Sequence, residues 1–371
     1  MVMSNMVKTG SSPVSPPRYD PHRLKKQVLI PVFISVATIA FIFSFSSFRG
    51  VTLDLSSFRL LPLGIGLVLV VCAWLIDSFR LFLTIRAWGK KIRFSHALQA
   101  MLSNYFLSSI TPFSTGGSPA QAYVLARRGL TWGEAGSLVT VCGILSQVGL
   151  LALLFVFIFV FNIGVRLEGV LLHLLYSFAI LYSVVLFLLF FFLHRPSLLY
   201  RLTDWGISWV KRTFKRTKFS EEAVRKWVEE FFTDFQRGFS ILFLRKPQYL
   251  IWNIVCYMFN YLFTFSVAYF VLLSLGVHPS YLEVVGAQIP LYYIFSFIPS
   301  PGASGGVEIT LASVFLRFAG ARRLGMFILL WRIITYYFPM LVGGASFFQL
   351  LGEGNNNQNV PAVEKNGSSR A

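Results

Sequence analysis

Charged residues are scarce in this sequence. Only 13% of the residues are charged, whereas 55% are apolar and 17% aromatic, and a soluble domain averages about 25% charged. Acidic residues are the scarcest, with 15 Asp and Glu against 33 Lys and Arg and a net charge of +18. This composition excludes an ordinary soluble domain. Because the basic residues lie mostly between long apolar runs, the excess favours a membrane surface over nucleic acid as the partner.

Signatures of catalysis are also missing. No Gly-x-x-x-x-Gly-Lys-Ser/Thr loop occurs, which argues against direct use of ATP. The five histidines are scattered, without a His-Glu-x-x-His pair. Cys72, Cys142 and Cys256 lie in apolar runs without the spacing of metal ligands or of a disulfide framework. We therefore expect no cofactor, no metal and no conventional enzymatic activity.

Long apolar runs are what the sequence has instead. Six of them are long enough to cross a hydrocarbon core of about 30 Å, which requires about 20 helical residues. They lie at 28–45, 60–83, 135–161, 170–193, 249–273 and 326–350. Uninterrupted runs exclude barrel strands, which alternate every second residue. The prediction is an all-α polytopic membrane protein with one transmembrane domain at 27–351 and disordered cytoplasmic ends at 1–26 and 352–371.

The distribution of Lys and Arg predicts the orientation. With the N-terminus inside, 25 of them fall on the cytoplasmic side and 6 outside, while Arg80 and Arg332 remain within the membrane. Cytoplasmic loops normally carry this excess. We expect a cell (plasma or inner) membrane protein with both termini in the cytoplasm.

The longest polar segment, 194–247, is predicted to be cytoplasmic and amphipathic. Apolar residues recur every three or four positions from Val228 to Leu242, which draws one helical face, and a basic run at 211–218 precedes them. Such a helix suits the anionic inner leaflet. We interpret this helix as a connector that rests on the membrane surface. A role in regulation or in binding a partner is the alternative.

Two further apolar segments are broken in the middle. The first runs over 95–127 and breaks at 111–119, and the second runs over 281–318 and breaks at 299–306. The limb that returns from the first break is about ten residues long and covers roughly half of the hydrocarbon core. Both segments are predicted to be re-entrant helical hairpins, with pairs of full spans as the alternative.

The two breaks share the pattern Pro-x-x-x-Gly-Gly, at 112–117 and 301–306. The predicted topology brings one hairpin in from the cytoplasm and the other from outside, which is the arrangement of an inverted repeat. Transporters of this kind bind substrate at broken helices near the midplane. Kinks that serve only packing are the alternative. The predicted substrate-binding residues at the breaks are Pro112, Gly116, Gly117, Gln121, Pro301, Gly305 and Gly306.

Charges within the membrane give four further candidates, because such residues are costly in lipid and usually face a partner or a cavity. Asp77 and Arg80 stand three residues apart and can meet on one helical face; they are either a structural pair or a headgroup site. Glu308 begins a half-helix beside the second Gly-Gly pair, and Arg332 lies in the last span. We predict that Glu308 and Arg332 contact each other and bind the headgroup.

Three other polar residues have simpler explanations. Thr131 and Glu134 have the spacing of a capping box, so Glu134 is expected to cap a helix rather than touch substrate. Ser146 and Gln147 lie inside the third span. They either line a path or bond to a neighbouring helix.

The chain resembles a known family at these motifs. LSSITPFSTGG at 107–117, LARRG at 125–129, IPSPGASGGVE at 298–308 and WR at 331–332 look like the flippase-like membrane domain of lysylphosphatidylglycerol synthetases. The resemblance covers roughly 25–351. Synthetases of this family carry a separate cytoplasmic aminoacyl-transferase domain, which we do not expect here. The resemblance implies the translocating half alone.

Three functions fit these observations. The first is a translocase for a phospholipid or lipid-linked polar headgroup, not directly driven by ATP. The second is a secondary transporter of a small solute or ion, and the third is an accessory subunit or membrane-embedded transferase of a glycolipid or aminoacyl-lipid pathway. The expected partners are membrane phospholipids, anionic or glycosylated, together with a second copy of the chain or a lipid-modifying enzyme.

The predicted topology is testable by cysteine labelling on a background without Cys72, Cys142 and Cys256. A Lys215→Cys variant should react with an impermeant thiol reagent only after the cells are opened, because the positive charge around it holds the segment inside. Arg166→Cys, on the predicted outer side, is the control and should react in intact cells. Labelling of residue 215 from outside would contradict the topology.

Overall fold

The computed structural model describes residues 58–162, 221–296 and 298–358, with positions 33 and 37 and isolated positions between 173 and 188. The predicted spans at 28–45 and 170–193, the arm at 1–26, the basic run at 211–218 and most of the tail lie outside these residues. In the described part the protein is helical and contains no named strand, in agreement with the predicted all-α class.

The α-helices of the described residues follow one another in a simple chain order. They are α1 (Leu60–Ala87), α2 (Phe94–Ile110), α3 (Gly117–Arg127), α4 (Trp132–Phe155), α5 (Glu221–Ser240), α6 (Pro247–Ser274), α7 (Tyr281–Ser296), α8 (Gly306–Arg332) and α9 (Phe338–Gln358). Three π-helical turns extend them: Val156–Val160 after α4, Ile241–Arg245 after α5, and Ile333–Tyr337 between α8 and α9. Helix α9 continues past the predicted end of the domain at residue 351.

Four described helical segments are long and apolar enough to cross a membrane. They are Leu60–Ala87, Trp132–Val160, Pro247–Ser274 and Gly306–Glu353. Each matches one of the runs predicted from the sequence, at 60–83, 135–161, 249–273 and 326–350, and the second ends one residue before its predicted run. The chain is therefore a multi-pass membrane protein.

The segment Gly306–Glu353 is not one straight helix. Its 48 residues would extend roughly 72 Å at 1.5 Å per residue, more than twice the hydrocarbon thickness of about 30 Å. Gly320 interrupts it with φ of 66° and ψ of 161°. Arg317, Arg322 and Arg323 stand on either side of this break. The break separates a short limb at 306–319 from the helix at 321–332, close to where the sequence ends the second hairpin.

The helices pack in pairs. Helix α1 lies along α6, α2 packs against both α3 and α9, and α7 contacts α6 and α4. Small residues allow close approach at these contacts: a Cβ on Gly343 of α9 would lie within 2.3–3.2 Å of α2 atoms, and Gly149 of α4 faces Tyr257 of α6. Interfaces between membrane helices favour small residues for this reason.

Helix α5, predicted to rest on the membrane surface, contacts protein along its apolar face. Phe235 and Leu242 are buried, and the carbonyl of Phe231 accepts a hydrogen bond from Ser137 Oγ of α4 at 2.9 Å. Gly238 lies against the indole of Trp88. Burial beside α4 raises the pKa of Asp234, and the nearby charge of Glu134 acts in the same direction. The helix is thus docked on the ends of α1 and α4.

The predicted capping box at the start of α4 is confirmed. Thr131 Oγ1 accepts from the Glu134 backbone N–H at 3.2 Å, and Glu134 Oε2 accepts from the Thr131 N–H at 3.0 Å. Glu134 also forms an ion pair of 2.6 Å with Lys90. Glu134 therefore fixes the start of α4 and ties it to the loop before α2.

The docking of α5 can be tested at Gly238. A Gly238→Ala variant should lower the midpoint of thermal unfolding in detergent, because the added Cβ would overlap the Trp88 ring and overpacking costs about 1–3 kcal/mol. Gly64→Ala is the matched control, since Gly64 lies in α1 with no atom within 4 Å of an added Cβ. An equal midpoint in both variants would show that α5 is not docked on Trp88.

Candidate functional site

The two helix breaks meet in the structure. Pro112 and Pro301 form an isolated antiparallel bridge. The hydroxyl of Tyr336 donates to the carbonyl of Ser109 at 2.9 Å, which joins the end of α2 to the π-helical turn after α8. A Cβ on Gly302 would lie 2.5 Å from the Tyr336 hydroxyl and 2.6 Å from the Ser109 carbonyl. The backbones of the two breaks are therefore in direct contact.

The two residues that follow the proline have the same backbone conformation in both breaks. Phe113 and Ser114 follow the first proline with φ of 53° and 54°, and Gly302 and Ala303 follow the second with φ of 59° and 53°. In each break the second of these residues donates its N–H to the carbonyl of the residue before the proline, at 3.2 and 3.0 Å. Left-handed non-glycine residues cost of order 1–3 kcal/mol each and concentrate at functional sites.

The first glycine of each Gly-Gly pair has its N–H held by a side chain. Thr111 Oγ1 accepts from Gly116 at 2.9 Å, and Glu308 Oε2 accepts from Gly305 at 2.7 Å. Gly305 has a φ of 87°, which an L side chain rarely adopts. Gly117 packs so closely on α2 that a Cβ would overlap Ser108 Oγ. Glycine is required at Gly305 and at Gly117 for these different reasons.

A cavity of about 540 Å³ lies beside the junction of the breaks. Four of the predicted site residues line it: Asp77, Arg80, Gln121 and Arg332. The others are not among the lining residues: Pro112, Gly116, Gly117, Pro301, Gly305, Gly306 and Glu308. The breaks thus shape the cavity through their neighbours, since Ser109, Ser114, Ser118, Gly302 and Ala303 do line it.

Asp77 and Arg80 form a buried pair, as predicted. Arg80 Nη2 lies 2.8 Å from Asp77 Oδ1, and Arg80 Nε donates to the same oxygen at 2.9 Å. The second carboxylate oxygen accepts from the Tyr105 hydroxyl at 2.8 Å. Arg80 Nη1 donates to Asn253 Oδ1 at 3.4 Å, and its guanidinium stands 4.1 Å from the centre of the Tyr257 ring. Every charged atom of this pair has a partner, which favours the structural interpretation of it.

Glu308 and Arg332 also meet, and their predicted contact is confirmed. Arg332 Nε lies 2.9 Å from Glu308 Oε1, and both side chains are buried, at 3% and 0% exposure. The N–H of Nε is not directed at this oxygen, so the contact is an ion pair without a hydrogen bond. Arg332 Nη2 is buried without a hydrogen-bond partner among the described residues. Arg332 is therefore the less satisfied of the two intramembrane arginines.

Three further residues with polar groups line the cavity, and the sequence did not predict them as site residues. Gln147 lines the cavity, and its Oε1 is buried without a partner in the described part of the chain. Trp331 also lines the cavity, and its Nε1 is buried without a hydrogen-bond partner in the described residues. Tyr336 lies beneath Arg332, whose guanidinium is 4.7 Å from the ring centre. Trp331 appeared in the sequence analysis only as part of the family motif at 331–332, and Tyr336 gave no signal in a sequence that is 17% aromatic.

The structural role of Arg80 is testable by its effect on stability. Arg80→Met should lower the midpoint of thermal unfolding, because it leaves Asp77 buried beside Tyr105 without its cation, and breaking a buried pair costs about 3–5 kcal/mol. Arg86→Met is the matched control, since Arg86 is an exposed cation on the same helix. Equal stability of the two variants would contradict this role.

Comparisons with known proteins agree with the family resemblance found in the sequence and with the helical membrane fold. The model of the family described as the lysylphosphatidylglycerol synthase TM region matches residues 28–343. A UPF0104 membrane protein of Archaeoglobus fulgidus is 25% identical over 323 residues, which cover 86% of this chain and 95% of that protein. The family match includes both breaks and both buried ion pairs. The chain belongs to the lysylphosphatidylglycerol synthase transmembrane-region family.

Proposed function

We propose that this protein is a translocase for a phospholipid or lipid-linked anionic headgroup. The observation that carries the proposal is Arg332, a buried guanidinium that lines the cavity beside the two breaks and keeps Nη2 without a hydrogen-bond partner among the described residues. A guanidinium in low dielectric binds phosphate strongly and in a fixed geometry. The cavity volume of about 540 Å³ suits a headgroup, while the acyl chains stay in the bilayer.

An inverted repeat supports the proposal. In such a repeat α1 corresponds to α6, and the first break corresponds to the second. The contact of α1 with α6 then joins two equivalent elements, and the contact of Pro112 with Pro301 does the same. Equivalent elements contact each other only at a two-fold axis. The packing of α2 on α9 then corresponds to the contact of α7 with α4. Inverted-repeat transporters bind substrate at such an axis.

The lengths of the hairpin limbs support re-entry rather than full crossing. Helix α3 has 11 residues and extends roughly 17 Å, and the limb at 306–319 extends roughly 21 Å, against a core of about 30 Å. Limbs this short end within the membrane. The meeting of their tips then lies at depth, where a headgroup has to pass.

The proposed mechanism is an exchange of partners by Arg332. At rest Arg332 is neutralised by Glu308, which also caps the start of the outer hairpin through the Gly305 N–H. An arriving phosphate offers oxygens to Nη2 and competes with Glu308 for the guanidinium. Because the Glu308 carboxylate also holds the start of the outer hairpin, competition for Arg332 couples headgroup binding to the contact that holds this hairpin. No phosphate loop is present, so the energy comes from the lipid gradient or from a coupled ion.

Transport by reconstituted protein tests the proposal. Liposomes with headgroup-labelled anionic phospholipid should show movement of the label between leaflets, measured by reduction of the externally exposed probe. Arg332→Gln should slow it about tenfold or more, because it removes a charged hydrogen bond worth about 1.5–3 kcal/mol. Arg323→Gln is the control, because Arg323 is exposed on the same helix. Unchanged transport in Arg332→Gln would overturn the role of Arg332.

The same liposomes separate the translocase from the other candidate functions. Uptake of a soluble anion without any movement of lipid would favour a solute transporter. Chemical change of the labelled lipid would favour a transferase. We propose a cell membrane location with cytoplasmic termini, and a second copy of the chain or a lipid-modifying enzyme as the protein partner.

A further inference from the structure

We infer that the cavity recognises a phosphate that carries a polyhydroxyl group, such as glycerol, inositol or a sugar, and disfavours a cationic, aminoacylated headgroup. The inference rests on the proposed function, because it takes the cavity as the headgroup site. It concerns which lipid is moved, whereas the proposed function concerns whether lipid is moved.

The first argument is the state of the carboxylates. An aminoacylated headgroup carries an ammonium, which needs a carboxylate to receive it. Asp77 uses one oxygen for Arg80 and the other for Tyr105. Glu308 uses one oxygen for Gly305 and presents the other to Arg332. Among the described residues that line the cavity, Asp77 is the one carboxylate and both of its oxygens are engaged, so an entering ammonium finds no unpaired carboxylate there. A charge left without a counter-ion disfavours the wrong ligand.

The second argument is the neutral polar wall. Amide and hydroxyl side chains are common around the cavity, among them Asn104, Ser108, Gln121, Gln147, Asn260 and Gln288. Amides carry donors and acceptors together, as the hydroxyl groups of a polyol do. Several of these amides are held in place by the protein: Asn104 donates to Gln121 at 3.0 Å and Gln288 to the Phe265 carbonyl at 2.6 Å. Fixed amides can select among hydroxyl arrangements.

Aromatic rings complete this wall. Tyr261 and Tyr292 meet edge to face with centres 5.3 Å apart, and Phe265 stands 5.8 Å from Tyr292. All three line the cavity. Rings that combine an apolar face with a polar edge suit a ligand that presents both C–H and hydroxyl groups. Ion binding alone does not require such a surface.

The third argument is the set of buried polar atoms that have no hydrogen-bond partner in the described residues and belong to residues lining the cavity. Three are donors, Arg332 Nε and Nη2 and Trp331 Nε1, and one is an acceptor, Gln147 Oε1. The oxygens of a lipid phosphodiester only accept, so they can satisfy these donors but leave Gln147. A hydroxyl on the phosphate substituent would donate to Gln147. The complete set therefore matches a hydroxylated phosphate better than phosphate alone.

Binding of water-soluble analogues to the full chain in detergent tests this match. Trp74 and Trp331 line the cavity, so tryptophan fluorescence reports binding, with calorimetry as the second readout. Glycerophosphoinositol should bind about tenfold tighter than dimethyl phosphate, which has no hydroxyl group, because tenfold is the factor expected for one satisfied buried hydrogen bond. Lysyl-glycerol phosphate should bind more weakly than glycerol phosphate. The opposite order for either comparison would overturn the inference.

Substitution of Gln147 tests whether this residue is the source of the selectivity. Gln147→Met keeps the size of the side chain and removes its polar atoms, so the preference for glycerophosphoinositol over dimethyl phosphate should shrink toward one while the affinity for dimethyl phosphate stays. Gln248→Met is the matched control, because Gln248 is exposed at the start of α6. An unchanged preference in Gln147→Met would contradict the role of Gln147. If that variant does not fold, the analogue series on the unmodified chain decides.

Lipid movement separates this inference from the proposed function. Liposomes containing labelled phosphatidylinositol, phosphatidylcholine or lysyl-phosphatidylglycerol are compared, and the inositol lipid should move fastest. Equal movement of all three would leave the translocase intact and overturn the selectivity. Selective binding of the soluble analogues, with their uptake but without lipid movement, would overturn the translocase and assign the site to a soluble phosphate ester.

Discussion

Two helices stop in the middle of apolar segments, and the end of each helix leaves backbone groups without partners in that helix. The structure meets this constraint with hydrogen bonds inside each turn and by bringing the two breaks together. Pro112 and Pro301 bridge each other, and Tyr336 reaches from beside the second break to the Ser109 carbonyl at the first. The side chains of Thr111 and Glu308 accept from the first glycine of each Gly-Gly pair. Because the two breaks pack on each other, neither is expected to keep its conformation alone.

The same constraint explains the strained backbone. Phe113, Ser114 and Ala303 occupy left-handed conformations that non-glycine residues avoid. The turn after each proline has to reverse the chain within a few residues while presenting its carbonyls to the following helix. The matching φ values of the two breaks indicate one structural solution used twice. The strain lies next to the cavity, where backbone strain commonly serves a function.

Much of this organisation could be predicted from the sequence. Apolar runs predicted the four spans that the structure describes, and the spacing of polar residues predicted the Thr131–Glu134 cap and the Asp77–Arg80 pair. The Glu308–Arg332 contact followed from the cost of lone charges in lipid. These predictions depend on local periodicity or on charge, which a sequence carries directly. The number of spans and the orientation stay predictions.

Contacts between distant residues were not predictable in this way. Tyr105, Asn253 and Tyr257 surround the first ion pair, yet nothing in their sequence context distinguishes them from core residues. The docking of α5 was missed because an amphipathic face has the same pattern whether it meets lipid or protein. The cavity depends on which side chains converge, and convergence is a property of the tertiary fold.

The two breaks differ in the side chain that holds the N–H of the first glycine of the Gly-Gly pair. In the first break a neutral hydroxyl, Thr111, holds the glycine N–H, and in the second a carboxylate, Glu308, does so. Only the second arrangement places a negative charge beside an arginine that lines the cavity. An anion that competes for Arg332 removes a counter-charge from Glu308, while the Gly305 N–H and the half-helix dipole continue to stabilise the carboxylate. The charge beside the cavity is therefore tied to the second break, although the turn after the proline is the same in both breaks.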